Sequence, residues 1–371
     1  MPSSLLPSQV LLHTRHSFRR RNLIPDDKRY RHLPLPLRPR GVLLFTFTSS
    51  RLLCPPLPFS SSTSTRSSKA KPPRITHAMA AEKTANWEAK IQRNPHGNFK
   101  EVEASRPAFD TSSSFHYTQT PSPSWTFGAG ANAAPPEPQS HRIIDPTSPD
   151  RPSHLNYKLL ISAIVPRPIA FLSTRSSDGT LTNLAPFSYF QTIGHDPPLF
   201  IIGFASSLSS PKDSLKLLAE SKECTINIIS ETYIEAANST SINAPLGVSE
   251  WDVSGLTPKY DCETVKAARV GEAVFSIEGK LESLREFESR STPGKVSSTL
   301  AVIEGTRFWA RGDAINEEGS ILDPKVLKPV SRLGGITYGR TTQAFELPRP
   351  DFEKDLGGKE GAERLERKNP L

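Results

Sequence analysis

The sequence predicts a mainly β, α+β protein: a small β-barrel with flanking helices, occupying residues 153–345. Three observations carry this. Apolar runs of strand length recur through that region, an Asp-Gly turn joins the first two, and only one or two segments have helical spacing.

Taken in order, the first patterned segment starts near Ser153. Leu155, Leu159, Leu160 and Ala163 have helical spacing, which predicts a short helix ending before Pro166. Ile169 to Thr174 is an apolar run, Asp178-Gly179 marks a turn, and Leu181 to Phe190 is a second run. Asp-Gly between two such runs predicts a β-hairpin. Pro186, in the second run, cannot donate to a sheet ladder, so that strand is predicted to be an edge strand or to carry a bulge. Pro198 to Phe204 predicts a buried strand, Pro211 to Glu223 a helix with Leu215, Leu218 and Ala219 on one face, and Cys224 to Ile229 a further strand. Residues 231–265 read as helical pieces and loops around Trp251. From Val274 to Leu284 the sequence alternates. Phe275, Ile277, Gly279 and Leu281 form one face and Ser276, Glu278, Lys280 and Glu282 the other, which predicts a half-buried strand. Val296 to Ala310 is a long strand with a break near Gly305.

The chain has 371 residues, and its basic character is local. Residues 1–78 hold fourteen basic residues against Asp26 and Asp27, a net charge of +12, which leaves residues 79–371 at −4. The body is therefore not expected to bind nucleic acid. Residues 1–78 are rich in Arg, Ser, Pro and Leu and are expected to be disordered. Two readings stand for them: a mitochondrial transit peptide, or an upstream extension to a cytoplasmic protein that starts at Met79. The apolar run Gly41 to Thr48 is too short to span a membrane. Residues 79–152 form a polar arm, on which Trp125 and Phe127 are candidate anchors to the body. Residues 346–371 form a polar C-terminal tail. Within the arm, Gly128 to Ala133 matches G-x-G-x-x-A but lacks the strand before and helix after that a dinucleotide site needs. Cys54, Cys224 and Cys262 have no metal-ligand or disulfide spacing, which suggests a reducing compartment.

Ser206 to Ser214 reads SSLSSPKDS. Ser210 is placed as an N-cap, with Pro211 first and Asp213 third in the helix. A helix N-terminus offers free N–H groups and a positive dipole end. With four serines before it and Lys212 in the first turn, the segment reads either as a phosphate cradle or as a well-capped surface helix. His195, in Gly194-His195-Asp196-Pro197, reads as a turn residue.

The segments RPIAFLST, NLAPFSYF, DPPLFIIGF, the serine loop ending in Lys-Asp-Ser, and the later PVSRLGGITY occur in the order found in the flavin reductase-like family of FMN-binding split barrels, which this sequence resembles over roughly residues 154–345. The resemblance implies a split β-barrel, FMN as bound cofactor or dissociable substrate, and NADH or NADPH as hydride donor. It also implies a homodimer and a possible partner oxygenase. A flavoprotein with its own small substrate, or a non-catalytic FMN-binding module, remains the alternative. Carried over by residue, it implies that Ser173 and Thr174 end a strand near the flavin. Asn183, Ala185, Pro186, Phe187 and Ser188 would line the ring and ribityl chain. Ser207, Lys212, Asp213 and Ser214 would surround the phosphate, and Arg332 and Tyr338 would close the pocket. Family members often carry Arg before Lys-Asp-Thr, where this chain has Pro211-Lys212-Asp213-Ser214. A missing guanidinium implies looser phosphate binding.

Overall fold

The computed structural model describes residues 94–133 and 140–365. The basic stretch 1–78, Met79 and Cys54 lie outside the described residues.

The arm contributes α1 (Phe99–Ala104) and β1 (His116–Tyr117). The body then runs α2 (Ser153–Ala163), β2 (Ala170–Arg175), β3 (Thr182–Phe187), β4 (Phe190–His195), β5 (Pro198–Phe204), α3 (Asp213–Ser221) and β6 (Glu223–Ile228). A 3-10 turn at Glu231–Tyr233 leads to α4 (Ile234–Ser239), α5 (Glu250–Ser254), β7 (Pro258–Lys259) and β8 (Arg269–Val270). The long strands β9 (Phe275–Glu288) and β10 (Val296–Ala310) follow. The chain closes with α6 (Pro324–Leu327), β11 (Val330–Arg332), β12 (Tyr338–Arg340), β13 (Gln343–Ala344) and α7 (Gly358–Glu363).

The seven-stranded sheet has the order β3-β2-β6-β9-β10-β5-β4, and every pair in it is antiparallel. Its connectivity forces curvature. β3 and β4 are the two edges of the sheet, yet only Ser188 and Tyr189 separate them in sequence. Two residues cannot cross a flat seven-stranded sheet, because neighbouring strands lie about 4.8 Å apart. The sheet therefore rolls until its edges approach: the Phe187 ring of β3 lies 4.8 Å, centre to centre, from the Phe204 ring of β5, the neighbour of β4. The result is a split β-barrel.

Two apolar layers hold it. Inside the barrel pack Ala170, Leu172, Phe200, Ile202, Phe204, Ile226, Ile277 and Ile303, with Leu215 and Leu218 of α3 closing one end. Outside, Ile169, Phe171 and Leu184 pack against Tyr233, Ala237, Trp251 and Val270. β2 is thus buried on both faces, which explains why Ile169 to Leu172 shows an unbroken apolar run instead of alternation. Gly279 on β9 is needed for the tight inner packing: a Cβ there would lie 2.6 Å from the Ile303 side chain.

The predicted hairpin forms, with Ala170 paired to Phe187 and Arg175 to Thr182. Gly179 takes the positive φ of its turn, +77°, and the Asp178 carboxylate accepts from Ser176 and Thr180. β5 and β10 form over the predicted residues, and β10 changes register between Gly305 and Arg307. His195 ends β4, exposed, at the turn into β5.

Three expectations need correction. The helix at Ser153–Ala163 forms, but Leu155, Leu159 and Leu160 stay 38–50% exposed and Ile161 is the residue it buries. The polar face of β9 is only half solvated: Lys280 and Glu282 are exposed, but Ser276 is buried against Asn227 and Glu278 is buried under the loop at residues 261–266, which donates to it. Trp125 and Phe127 pack on each other and remain exposed. The arm is fastened instead by β1, which pairs in parallel with β13, and by Arg340. That guanidinium donates to the carbonyls of Asp110 and Ser113, pairs with Glu231 at 2.7 Å, and lies 4.4 Å from the centre of the Phe109 ring. Gly128 to Ala133 forms irregular turns, and the next helix among the described residues starts only at Ser153.

Candidate functional site

The predicted site residues separate into three groups. The first lies where β2 ends and α3 begins. Thr174 and Asn183 are cross-strand partners, so their side chains share one face of the hairpin. Ser214, in the first turn of α3, donates to the Asn183 side-chain carbonyl at 3.4 Å. All three residues are at least 95% buried. The Thr174 hydroxyl is buried with no hydrogen-bond partner. An orphaned hydroxyl of this kind costs about 1–3 kcal/mol, and native structures retain few of them without a ligand or water to satisfy them.

The serine loop completes this group, with one correction. The capping box does not form. α3 begins at Asp213, its N-cap is Lys212 in an extended conformation, and no side chain caps it. The serines are used elsewhere. The Ser207 hydroxyl accepts from the Ser210 N–H at 3.1 Å, and Ser206 accepts from the Lys212 N–H at 3.4 Å. With no side-chain cap, the first N–H groups of the helix remain available to an anion. Asp213 sits in the first turn and Glu250 lies near it. Burial pushes the Glu250 carboxyl upward from its ordinary value, and Asp213 adds to the shift.

The second group is the outer edge of β3. The Leu184 N–H points away from β2 to the Glu250 carboxylate at 3.4 Å. Antiparallel residues alternate in the direction of their backbone groups, so Pro186 also turns its nitrogen outward, where the ladder needs no donor. The awkward proline is accommodated because the strand is an edge. Ala185, Pro186, Phe187 and Ser188 are half-buried along it. Phe187 turns its ring into the barrel, 4.8 Å from Phe204, so only its backbone is presented at the edge. Ser173 pairs with Leu184 and, by alternation, faces the outer layer, away from Thr174.

Arg332 and Tyr338 form the third group, across the β11–β12 hairpin. The Arg332 guanidinium lies 4.3 Å from the centre of the Tyr338 ring and donates to the Gly335 carbonyl. The Tyr338 hydroxyl donates to Asn238 at 2.9 Å. This hairpin is tied to the start of β2 by paired backbone bonds between Arg167 and Arg332. Thr174 lies seven residues further along the chain, near the other end of β2, about 23 Å at strand rise. The structure thus joins the first two groups along one hairpin and sets the third at its far end.

Sequence reasoning passed over Arg167. It is 7% exposed and donates to the carbonyls of Ile161 and Ile164 at 2.5 and 2.6 Å, and of Leu333 at 2.9 Å. Its Nε reaches the Ser188 hydroxyl at 3.5 Å. Burial lowers its pKa, the neighbouring Arg332 lowers it further, and a guanidinium stays charged regardless.

Comparison with known proteins agrees with this architecture. The family described as a flavin reductase like domain matches residues 162–326. An uncharacterized protein of Halalkalibacterium halodurans is 32% identical over 201 residues, covering 54% of this chain and 93% of the relative. An uncharacterized protein of Aquifex aeolicus is 34% identical, covering 49% and 88%. The crystal structure of nitrilotriacetate monooxygenase component B from Bacillus cereus superposes with a TM-score of 0.52 at 30% identity, covering 56% of this chain and all of that one. A split barrel with this strand order and relatives this similar leave one assignment: the chain belongs to the flavin reductase-like family, a family of flavin-related oxidoreductases.

Proposed function

We propose that this protein binds FMN along the β2–β3 hairpin and reduces it with NADH or NADPH. The observation that carries the reading is the buried, unpartnered Thr174 hydroxyl, placed beside Asn183, Ser214 and the uncapped start of α3. These are donors of the kind a phosphate or ribityl hydroxyl needs. Lys212, at the N-cap, adds a positive charge, and Asp213 contributes its N–H. The outward edge from Ala185 to Ser188 lies beside the ring, with Arg332 and Tyr338 at the far end.

FMN, when bound, supplies hydride and electron transfer. The chain's own residues bind and orient. The barrel wall under β3 excludes water from one side of the site, and the edge position of β3 leaves the other side open for a nicotinamide. No side-chain acid–base pair is required.

A homodimer belongs to this reading. Leu155, Tyr157, Leu159, Leu160 and Ile164 are exposed apolar side chains spread around and just beyond α2, next to the Arg167 end of the hairpin, and a second copy would cover part of them. The name of the Bacillus cereus relative, a monooxygenase component, supports an oxygenase as recipient of the reduced flavin.

Purified protein spanning residues 79–371 is expected to bind FMN and to oxidise NADH or NADPH only when FMN is present, followed at the nicotinamide absorbance. A flavin spectrum without turnover points instead to a bound-flavin protein with its own substrate or to a non-catalytic module. Absence of flavin binding refutes the proposal. Lys212→Ala is expected to weaken FMN by about 1.5–3 kcal/mol, the scale of a charged hydrogen bond, while leaving riboflavin affinity unchanged. Equal losses for both flavins would remove Lys212 from the phosphate end.

A further inference from the structure

Arg167 is a buried guanidinium without a carboxylate partner among the described ion pairs. A charge removed from water normally requires a counter-ion or a full set of acceptors. Here the acceptors are backbone carbonyls drawn from two distant places. Ile161 and Ile164 lie in and just after the last turn of α2, where free carbonyls and the negative end of the helix dipole favour a cation. Leu333 begins the turn between β11 and β12. The contact with Ser188 adds the seam where β3 passes into β4.

The same joint is packed tightly on the backbone side. A Cβ on Gly334 would lie 3.2 Å from both Cα and Cβ of Ser162. The helix end and the hairpin turn therefore touch with no side chain between them, and Arg167 bonds to both. Lysine could not replace it, because one ammonium lacks the planar fork that serves separated carbonyls together.

We infer that Arg167 is the positioning residue for the ring end of the flavin site: through its carbonyl clamp it holds Ser188 on the β3 edge and the Arg332–Tyr338 hairpin in register with each other. This rests on the flavin reading above. Arg167 itself touches no reacting atom in that reading. It determines where the groups beside the ring stand.

The test uses the full chain and two ligands, FMN and riboflavin, titrated by quenching of flavin fluorescence. Riboflavin lacks the phosphate, so a change at the ring end reduces both affinities by one factor, whereas a change at the phosphate end affects FMN alone. Arg167→Lys is expected to weaken both flavins about tenfold, the factor carried by one charge-assisted hydrogen bond, and to shift the visible absorption band of the bound flavin. Arg269→Lys is the control for general loosening. It disturbs a bidentate pair with Asp261 and the stack on Trp309, and is expected to leave both affinities and the band unchanged. If Arg167→Lys does not fold, Gly334→Ala displaces the same joint without touching the arginine and should reproduce the equal loss. Unchanged affinities in a folded variant, a loss confined to FMN, or an equal loss in Arg269→Lys would each overturn the assignment. Wild-type protein that binds neither flavin would overturn the flavin reading first, and this inference with it. That outcome is distinguishable because it precedes any comparison of variants.

Discussion

Glu278→Ala should lose about 3–5 kcal/mol of folding stability at neutral pH, the cost of removing one partner from a buried charged network. Glu278 is fully buried in the first third of β9. Its carboxylate accepts from the Glu263 N–H at 2.9 Å, the Thr264 N–H and hydroxyl at 2.5 Å each, and the Trp309 indole at 2.7 Å. Burial alone would raise its pKa. The donors outweigh burial and hold it at about 2, against an ordinary 4.5. A folded-state pKa lowered in this way stabilises the protein fully above the unfolded value and less as the pH falls toward the folded one. The difference between wild type and Glu278→Ala should therefore be constant above about pH 4.5 and shrink by about 3 kcal/mol on descending to pH 2. Urea unfolding of both proteins at pH 7, 4 and 3 measures this. A gap that stays constant across that range would show that the carboxylate carries no net charge stabilisation.

Thr174→Val should move stability and ligand affinity in opposite directions. The substitution keeps shape and removes a buried hydroxyl that has no partner in the unliganded chain. The apo protein should gain on the order of 1 kcal/mol, because an unsatisfied polar group is no longer desolvated. FMN affinity should fall, on the order of tenfold, if that hydroxyl is satisfied by the ligand. Thermal melting of the apo protein and an FMN titration give the two values. A stabilised variant with unchanged FMN affinity would mean that the hydroxyl faces no part of the flavin.

Much of this architecture was legible in local sequence. The hairpin from Ala170 to Phe187 is specified by Asp178-Gly179 and the runs on either side, a signal contained in some twenty consecutive residues. Pro186 read correctly as an edge residue, because a missing N–H is a local fact with one structural consequence. The helix cap was misread for a reason that is also local but competitive. Four serines offer hydroxyls to several backbone N–H groups, and Ser206 and Ser207 bond within the loop before any can cap α3. Ser173 and Thr174 looked equivalent as a pair at a strand end, yet the pleat assigns them to opposite faces, and only Thr174 meets Asn183.

What the sequence determined by itself, then, is the family, the succession of strands along the chain, the turn at Gly179 and the edge position of the strand that carries Pro186. Tertiary structure alone decided three further things. It closed the barrel by placing Phe187 and Phe190 at opposite edges of one sheet, which no periodicity records. It buried Glu278 on a face that alternation marks as outward, because the loop carrying Glu263 and Thr264 lies across it. It made Arg167 a clamp by bringing Leu333, 166 residues away, to its guanidinium. The physical reason is common to all three. Hydrophobic period and turn chemistry act between neighbours, whereas burial and hydrogen-bond satisfaction depend on which distant segment arrives to cover a face or accept a bond.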